Sequence, residues 1–385
     1  MRRVSILATV SSVVGLLLVA ACGPSAAPGP GRPPAAPGQA AASAPAPTRA
    51  QAAVAEPARP ELATTPVVTL KVGYLPVATW APLFLAQDRG YFQEVGLEVE
   101  ASPFGNYATQ VPLLAQGQLH VAGCANAVIC YNAFGRGLDI RIVTDLQSAG
   151  QTEKSRGASG LVVRKDLWDN GTIRGAQDLV GRTLYTQAGP GSGQHAQAAH
   201  WLRRHGIDPS DMDWTQLQFP DLYAAMQNQG AEVGFQSEPF VTAGLTRGIH
   251  HLLVSAEEME PNVQSTYVMY WTGIDGLGPQ VGERFMVAWL RAVRDFLNAM
   301  EYGIDQDAVI AILTRETGIK DPEVHRQSKY PWRHPNGGVD ADALQADADL
   351  FAELGLMGQV DVRPRIDDRY HQFAARYLGE YQPPR

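Results

Sequence analysis

The chain has 385 residues, of which 45% are hydrophobic and 18% are charged, enough apolar material for a large core divided between two lobes. A formal net charge of −8 and the lack of a long basic run in the sequence exclude a nucleic-acid-binding protein, which needs clustered Lys and Arg. We therefore expect a globular protein that does not bind nucleic acid.

The first 22 residues have the pattern of an export signal. Arg2 and Arg3 precede an apolar run that ends in the sequence VAAC, with Cys22 as its last residue. This ending is similar to a bacterial lipobox, in which the cysteine becomes the lipidated first residue of the mature chain. The alternative is an uncleaved transmembrane anchor, because the run approaches the roughly 18 residues that can span a bilayer. Both interpretations place the remaining chain outside the cytoplasm, and we expect lipidation of Cys22.

Residues 23–66 contain 11 prolines and 15 alanines and very few residues that could nucleate a core. This composition predicts an extended, semi-rigid tether. A globular domain is therefore expected to hang from the membrane on a lipid anchor.

The globular part opens with a strand, a helix and a second strand. Alternating apolar residues over 70–74 predict a strand that stops at Pro76, which cannot donate to a sheet ladder. A short helix over 81–89 is closed by Gly90, and residues 97–100 resume a strand. A unit of this length predicts a right-handed crossover in a parallel sheet, with ligands beyond the carboxyl ends of the strands.

The same alternation continues along the rest of the chain. We predict strands over 119–123, 140–146, 159–163, 182–186, 214–217, 233–236 and 265–271, and helices over 106–116, 194–204, 222–229, 282–302, 305–316, 341–354 and 370–378. The fold class is therefore α/β, and no repeat of 20 to 50 residues indicates a solenoid.

The opening segment also carries a family resemblance. GYLPVATWAPLFLAQDRGYFQEVGLEVE (73–100), followed by LLAQGQLHVAG (113–123), resembles the start of the SsuA/THI5 (NMT1-like) solute-binding proteins of ABC importers. The resemblance implies a type II periplasmic-binding-protein fold with two α/β lobes and a two-strand hinge. It places the first lobe at 67–161, the second at 162–267, and the return part of the first lobe with the C-terminal helices at 268–385.

A glycine-rich turn gives the sharpest local signal for binding. Residues 189–193, GPGSG, join a strand to a helix, where free main-chain donors and the helix dipole favour an anion. The plain alternative is a turn in which Ser192 caps the helix. The turn lacks the Gly-Lys-Ser/Thr ending of a phosphate-binding P-loop, so nucleotide hydrolysis is not supported.

The predicted ligand-binding residues are strand-end side chains, with the family's contacts as a guide. Trp80 is either an apolar wall of the cleft or a core residue, and Asn126 either contacts the ligand or caps a helix. Glu238 either pairs with a cationic group of the ligand or forms a salt bridge at the hinge. The full set is Thr79, Trp80, Asn126, Gly191, Ser192, Gly193, Gln194, Gln236, Glu238 and Tyr267.

The histidines and cysteines give little support for metal or redox chemistry. His195, His200 and His205 are spaced by five residues and do not share a helix face, so no metal site is predicted. His250 and His251 are expected at the surface. Cys124 and Cys130 are expected to be two buried thiols rather than a disulfide, although export would allow one.

These observations predict a lipid-anchored, extracytoplasmic solute-binding protein rather than an enzyme, without cofactor or metal. The resemblance implies a small organic anion such as a sulfonate, taurine or nitrate as ligand, and an ABC permease with its ATPase as partner. The alternatives are a thiamine-precursor pyrimidine or other nitrogen heterocycle as ligand, or a pyrimidine-forming enzyme on the same fold, although that enzyme's cysteine cluster is absent from this sequence. We expect a monomer.

Overall fold

The computed structural model describes residues 59–148, 150–260 and 264–384. The predicted lipidation site Cys22 and most of the predicted tether lie outside the described residues. No helix in the described ranges combines the length and the apolar character needed to cross a bilayer.

Two five-stranded sheets organise the described chain. The strands are β1 (Val68–Tyr74), β2 (Leu97–Pro103), β3 (Val121–Ala125), β4 (Ile140–Ser148), β5 (Ser159–Arg164), β6 (Thr183–Thr186), β7 (Asp213–Gln216), β8 (Val233–Ser237), β9 (His250–Ser255) and β10 (Gln264–Trp271). The first sheet has the order β2-β1-β3-β10-β4 and the second the order β7-β6-β8-β5-β9. We call the parts of the molecule built on them the first and the second lobe.

Helices surround both sheets. They are α1 (Ala81–Asp88), α2 (Tyr91–Glu94), α3 (Gln110–Ala115), α4 (Val128–Gly135), α5 (Lys165–Asp169), α6 (Gly193–Arg204), α7 (Phe219–Gln227), α8 (Phe240–Thr246), α9 (Ala256–Met259), α10 (Val281–Tyr302), α11 (Gln306–Glu316), α12 (Pro322–Gln327), α13 (Ala341–Glu353) and α14 (Arg369–Leu378). The predicted two-lobe α/β fold is confirmed.

The two sheets share one pairing pattern. In the first, β1 pairs in parallel with β2 and β3, while β10 runs antiparallel to β3 and β4. In the second, β6 pairs in parallel with β7 and β8, while β5 runs antiparallel to β8 and β9. The parallel strands require helical crossovers, and their carboxyl ends meet at the edge where each sheet faces the other lobe.

The antiparallel strand of each sheet is the one that follows a crossing between lobes. All of β5 pairs in the second sheet, and all of β10 pairs in the first. The chain therefore leaves the first sheet after Ser148 and the second after Ser255, several residues before the boundaries proposed at 161 and 267. This geometry supports two connecting segments between the lobes.

The C-terminal helices extend the first lobe and reach the second. The long helix α10 packs on α1, α2 and α14, and its apolar face, with Phe285, Trp289 and Phe296, is fully buried. In contrast, α12 contacts α8, and α13 contacts both α4 and α6. These helices therefore link the two lobes.

Three sequence-based expectations differ from the structure. Cys124 and Cys130 form a disulfide, because the strand end folds back on α4 and brings their Cα atoms to 6.7 Å. His250 was expected at the surface, but it lies buried at the start of β9 and its Nε2 contacts the Val241 carbonyl oxygen at 3.1 Å. The last residues of the predicted tether contact the domain, where Arg284 donates to the Thr65 and Pro66 carbonyls.

Candidate functional site

A small cavity lies between the strand ends of the two lobes. Its volume is about 50 Å³, enough for a few water molecules or a compact solute. The first lobe contributes Leu75, Val77, Thr79, Tyr107, Ala125, Gln147, Ser265 and Thr266, and the second contributes Ser159, Gln187, Gly193, Gln194, Gln197, Phe219, Phe235 and Ser237.

The cavity wall combines apolar surface with uncharged polar groups. Four glutamine amides and six hydroxyl groups line it, and no acidic, basic, histidine or cysteine side chain is among the described lining residues. Burial raises the pKa of the one phenol, Tyr107, so this group stays neutral. The wall can therefore donate and accept hydrogen bonds without carrying a charge of its own.

The first-lobe wall is built on the loop after β1. Thr79 donates to the Gln147 amide oxygen at 2.6 Å, which fixes both side chains at the cavity edge. Arg333 supports this loop: its side chain is fully buried and donates to the carbonyl oxygens of Ala78 (2.8 Å) and Thr79 (2.7 Å). A buried guanidinium with defined acceptors is a rigid support for this loop.

The second-lobe wall is the beginning of α6. Gly193 and Gln194, the first two residues of the helix, and Gln197, one turn later, all face the cavity. Ser192 caps the helix by accepting from the His195 main-chain N–H at 3.2 Å. Burial lowers the pKa of His195 to about 4, and its neutral ring accepts from the Gly191 N–H at 2.9 Å.

Thr266 and Gln197 are among the lining groups that are available to a ligand. The Thr266 hydroxyl is buried and has no hydrogen-bond partner among the described residues. Gln197 is 4% exposed, and no hydrogen bond involves its amide in the described chain. Because buried polar groups are nearly always satisfied, both positions indicate where a solute would bond.

The lobes touch each other on both sides of the cavity. The Val128 N–H at the start of α4 donates to the Gly191 carbonyl at 2.8 Å, and Gln187 donates to the Gly105 carbonyl at 3.1 Å. Gly191 has φ +76°, and a Cβ there would lie 2.8 Å from the Val128 side chain. The turn therefore needs glycine both for its backbone conformation and for close approach between the lobes.

Thr79, Gly193 and Gln194 are the predicted site residues that line the cavity, and Gly191 and Ser192 shape the turn beside it. Trp80 does not line it: its ring is fully buried, packs on Trp289 at 5.8 Å and donates to the Tyr107 hydroxyl. The loop turns into α1 immediately after Thr79, which carries the indole under the sheet. Of the two alternatives for Trp80, cavity wall or core residue, the structure shows the core residue.

Asn126 and Tyr267 also lie away from the cavity. Asn126 neither faces a ligand nor caps α4, because its amide donates to the Gln264 carbonyl (2.8 Å) and to Asp347 (2.5 Å). Tyr267 is fully buried in β10 and is not among the lining residues of the cavity.

Gln236 and Glu238 serve the packing of the second lobe. Gln236 is fully buried and donates to the Phe219 carbonyl at 3.0 Å, while its strand neighbours Phe235 and Ser237 line the cavity. Glu238 accepts from Thr242 and from the Lys329 main-chain N–H at 3.0 Å. It forms a hydrogen-bonded link between β8 and the segment after α12 instead of a salt bridge or a ligand contact.

Sequence reasoning missed most of the glutamines of the wall. Gln197 follows Gln194 by three residues and could have been found from helical spacing on α6. Gln147 is the penultimate residue of β4, a strand whose end the prediction placed at Leu146. Gln187 directly follows β6, so the rule that ligands gather at strand ends pointed to it.

Comparison with known proteins agrees with this architecture. The model of the family described as NMT1/THI5 like matches residues 78–306, well over half of the chain. The chain belongs to this family. The resemblance predicted from the sequence is therefore confirmed. A Bacillus subtilis (strain 168) protein, YtlA, named as a candidate binding protein, is 26% identical over 198 residues, or 49% of this chain; the chain spans about half (54%) of that relative's length.

Solved structures share the fold at low sequence identity. The alkanesulfonate-binding protein SsuA of Xanthomonas axonopodis pv. citri, bound to MOPS, has a TM-score of 0.64 at 18% identity, covering 79% of this chain and 99% of that one. The nitrate-binding protein NrtA of Synechocystis PCC 6803 has a TM-score of 0.66 at 14% identity, covering 81% and 89%. The desulfurization enzyme DSZB has a TM-score of 0.57 at 14% identity, covering 81% and 100%. The fold thus occurs in binding proteins and in an enzyme.

Proposed function

We propose that this protein is an extracytoplasmic solute-binding protein of an ABC importer that captures a small organic anion between its lobes. One observation carries the proposal: an uncharged, hydrogen-bonding cavity is lined by eight residues from each lobe. A solute held there makes contacts with both walls at once. Such contacts exist only when the lobes are together, so the solute stabilises the closed arrangement.

The composition of the wall favours a receptor over an enzyme. General acid–base or nucleophilic catalysis needs titratable or nucleophilic groups that converge on the substrate. The described wall offers amides, hydroxyls and apolar surface, with Tyr107 held neutral by burial. Binding without chemical change is what this set of groups can do.

An anionic group of the solute is expected at the start of α6. Gly193 and Gln194 are the first residues of a 12-residue helix and line the cavity. Their main-chain N–H groups precede the first intrahelical bonds, and the helix dipole adds partial positive charge. A sulfonate or carboxylate can be bound there without a basic side chain.

A neutral nitrogen heterocycle is the second candidate ligand. The Gln197 amide presents both a donor and an acceptor, and the amide nitrogens of Gln147 and Gln194 add further donors, a pattern that matches a pyrimidine edge. The aromatic rings of Phe219 and Phe235 supply apolar surface for its faces. We rank it second because it leaves the dipole of α6 unused.

Membrane attachment and the transport partners complete the proposal. We expect Cys22 to carry the lipid and residues 23–58 to act as the tether, with a permease and its ATPase as partners. A monomer suffices for this role, because both walls of the cavity come from one chain.

A binding screen tests the proposal. The full chain, purified in mild detergent, is titrated calorimetrically with taurine, ethanesulfonate, nitrate and cytosine, and its thermal unfolding is followed with each, since binding raises stability by mass action. We expect one sulfonate to bind stoichiometrically, and Gln197→Leu to weaken it at least tenfold. The matched control is Gln93→Leu on the exposed face of α2. Binding of cytosine alone would favour the second candidate, and binding unchanged by Gln197→Leu would refute this cavity as the site.

A further inference from the structure

A second polar cluster lies where α13 meets α6, outside the cavity. His200 on α6, Glu260 directly after α9 and Asp347 on α13 each offer one ligand atom, and these atoms all lie within 4.8 Å of one another. The His200 Nε2 atom is 3.3 Å from an Asp347 oxygen and 3.6 Å from a Glu260 oxygen. Both distances exceed those of ordinary charge-assisted hydrogen bonds, which are about 2.7–2.9 Å.

Unpartnered polar atoms surround this cluster. Asn126, 1% exposed, donates through its amide nitrogen to Asp347, and its amide oxygen has no partner among the described residues. The hydroxyls of Tyr131 and Tyr267 are likewise buried without a partner, as is the second carboxylate oxygen of Glu260. Native proteins leave few such atoms unsatisfied, and a group of them around one point indicates a bound species.

The charges of the cluster favour a cation. The Asp347 side chain is 2% exposed and the Glu260 side chain 18% exposed, so both carboxylates are largely removed from water. The neighbouring guanidinium groups of α6 are engaged elsewhere in the described chain, because Arg203 pairs with Glu353 and Arg204 donates to main-chain oxygens. A cation held between the two carboxylates would balance their charge.

We propose that His200, Glu260 and Asp347 bind a divalent transition-metal ion of the Zn²⁺ type. Ligands about 2.0–2.1 Å from a tetrahedral metal are about 3.4 Å apart, which matches the His200 distances to both carboxylates. An imidazole nitrogen selects zinc-like ions over Ca²⁺ and Mg²⁺, which prefer oxygen. The Asn126 amide donates to the Asp347 oxygen that does not face His200 and so orients this carboxylate, as hydrogen-bond partners of metal ligands do.

The position of the site gives the ion a structural role. His200 on α6 and Glu260 directly after α9 belong to the second lobe, whereas Asp347 lies on α13, which also packs on α4 of the first lobe. A metal bound by all three residues therefore links the lobes on the side of α6 away from Gln194. This role is independent of which solute occupies the cavity.

Calorimetry of the untagged full chain with ZnCl₂, after chelator treatment and in mild detergent, tests the site. We expect one Zn²⁺ per chain, with affinity reduced at least 100-fold in His200→Gln and in Asp347→Asn, and 10- to 100-fold in Asn126→Leu. The matched control is His205→Gln, five residues further along the same chain segment, which should bind as the unaltered protein does. Circular dichroism checks that each variant is folded.

Substitution with Co²⁺ gives a second readout that does not depend on stability. The visible absorption of the bound Co²⁺ should appear at one equivalent and disappear in His200→Gln. Weak or non-stoichiometric Zn²⁺ binding, or binding that is equal in His200→Gln and His205→Gln, would overturn the proposal.

Discussion

Glu238 provides the sharpest test of the packing between β8 and the segment after α12. The side chain is fully buried and accepts hydrogen bonds from Thr242, Ser328 and the Lys329 main chain. Burial raises its pKa from 4.5 to about 7, because the hydrogen bonds lower the pKa by less than desolvation raises it. The folded protein therefore holds a proton at pH values where the unfolded chain has released it.

The sign of the effect follows from this difference. Wherever the folded state binds more protons than the unfolded state, stability falls as pH rises. Glu238 thus contributes stability below pH 4.5 that is lost as the pH passes through about 7. At about 1.36 kcal/mol per pH unit, the loss is about 3 kcal/mol, and about 2.5 kcal/mol of it falls between pH 5 and pH 8.

The perturbation is Glu238→Gln, which removes the titrating group and keeps the size of the side chain. Urea unfolding at pH 5 and pH 8 gives the change in the free energy of unfolding for each protein. We expect this change to be about 2.5 kcal/mol less negative in Glu238→Gln than in the unaltered protein. Other groups that titrate here, such as Asp145, are present in both proteins and cancel. The exposed Glu98→Gln is the control, and a difference below about 1 kcal/mol would refute the assignment.

Three further variants test the supports of the site. Arg333→Met removes the donors beneath the first-lobe loop and should lower the free energy of unfolding by about 2–4 kcal/mol in urea titrations, since buried carbonyls lose their partners. Gly193→Val places a Cβ 3.0 Å from a first-lobe main-chain oxygen and should weaken solute binding at least tenfold by calorimetry, whereas Gly175→Val, with open space around it, should not. Replacing both Cys124 and Cys130 with serine should lower the free energy of unfolding by about 2 kcal/mol, the loop-closure value for two cysteines six residues apart. An unchanged free energy of unfolding under oxidising conditions would contradict a stabilising role for the disulfide.

The fold was largely predictable because its signals are local. Alternation in β1, the glycine that closes α1 and the apolar face of α10 each act within one element, and the structure has all three. The edge strand β9 was missed because its two histidines suggested an exposed segment. His250 is tolerated inside because burial lowers its pKa to about 4 and the neutral ring packs against Gly244.

The site was less predictable because its residues depend on distant partners. Local sequence identifies a strand end or a helix start, and this was enough for Thr79 and Gly193. It does not reveal whether a side chain turns to the cavity or to a partner far along the chain. Asn126 turns to Asp347, 221 positions away, and Glu238 turns to Lys329. Such pairs are set by how α13 and the segment after α12 pack, which no local pattern encodes.

The two proposed sites depend on the same helix, α6. Gln194 and Gln197 line the cavity, and His200, almost one turn beyond Gln197 and about 60° further around the axis, contacts Asp347 of α13. A bound solute would tie the start of α6 to the first lobe, and a metal ion would tie its later turns to α13. Each can shift the lobes only by its differential affinity for the closed arrangement, so any coupling between them must be reciprocal.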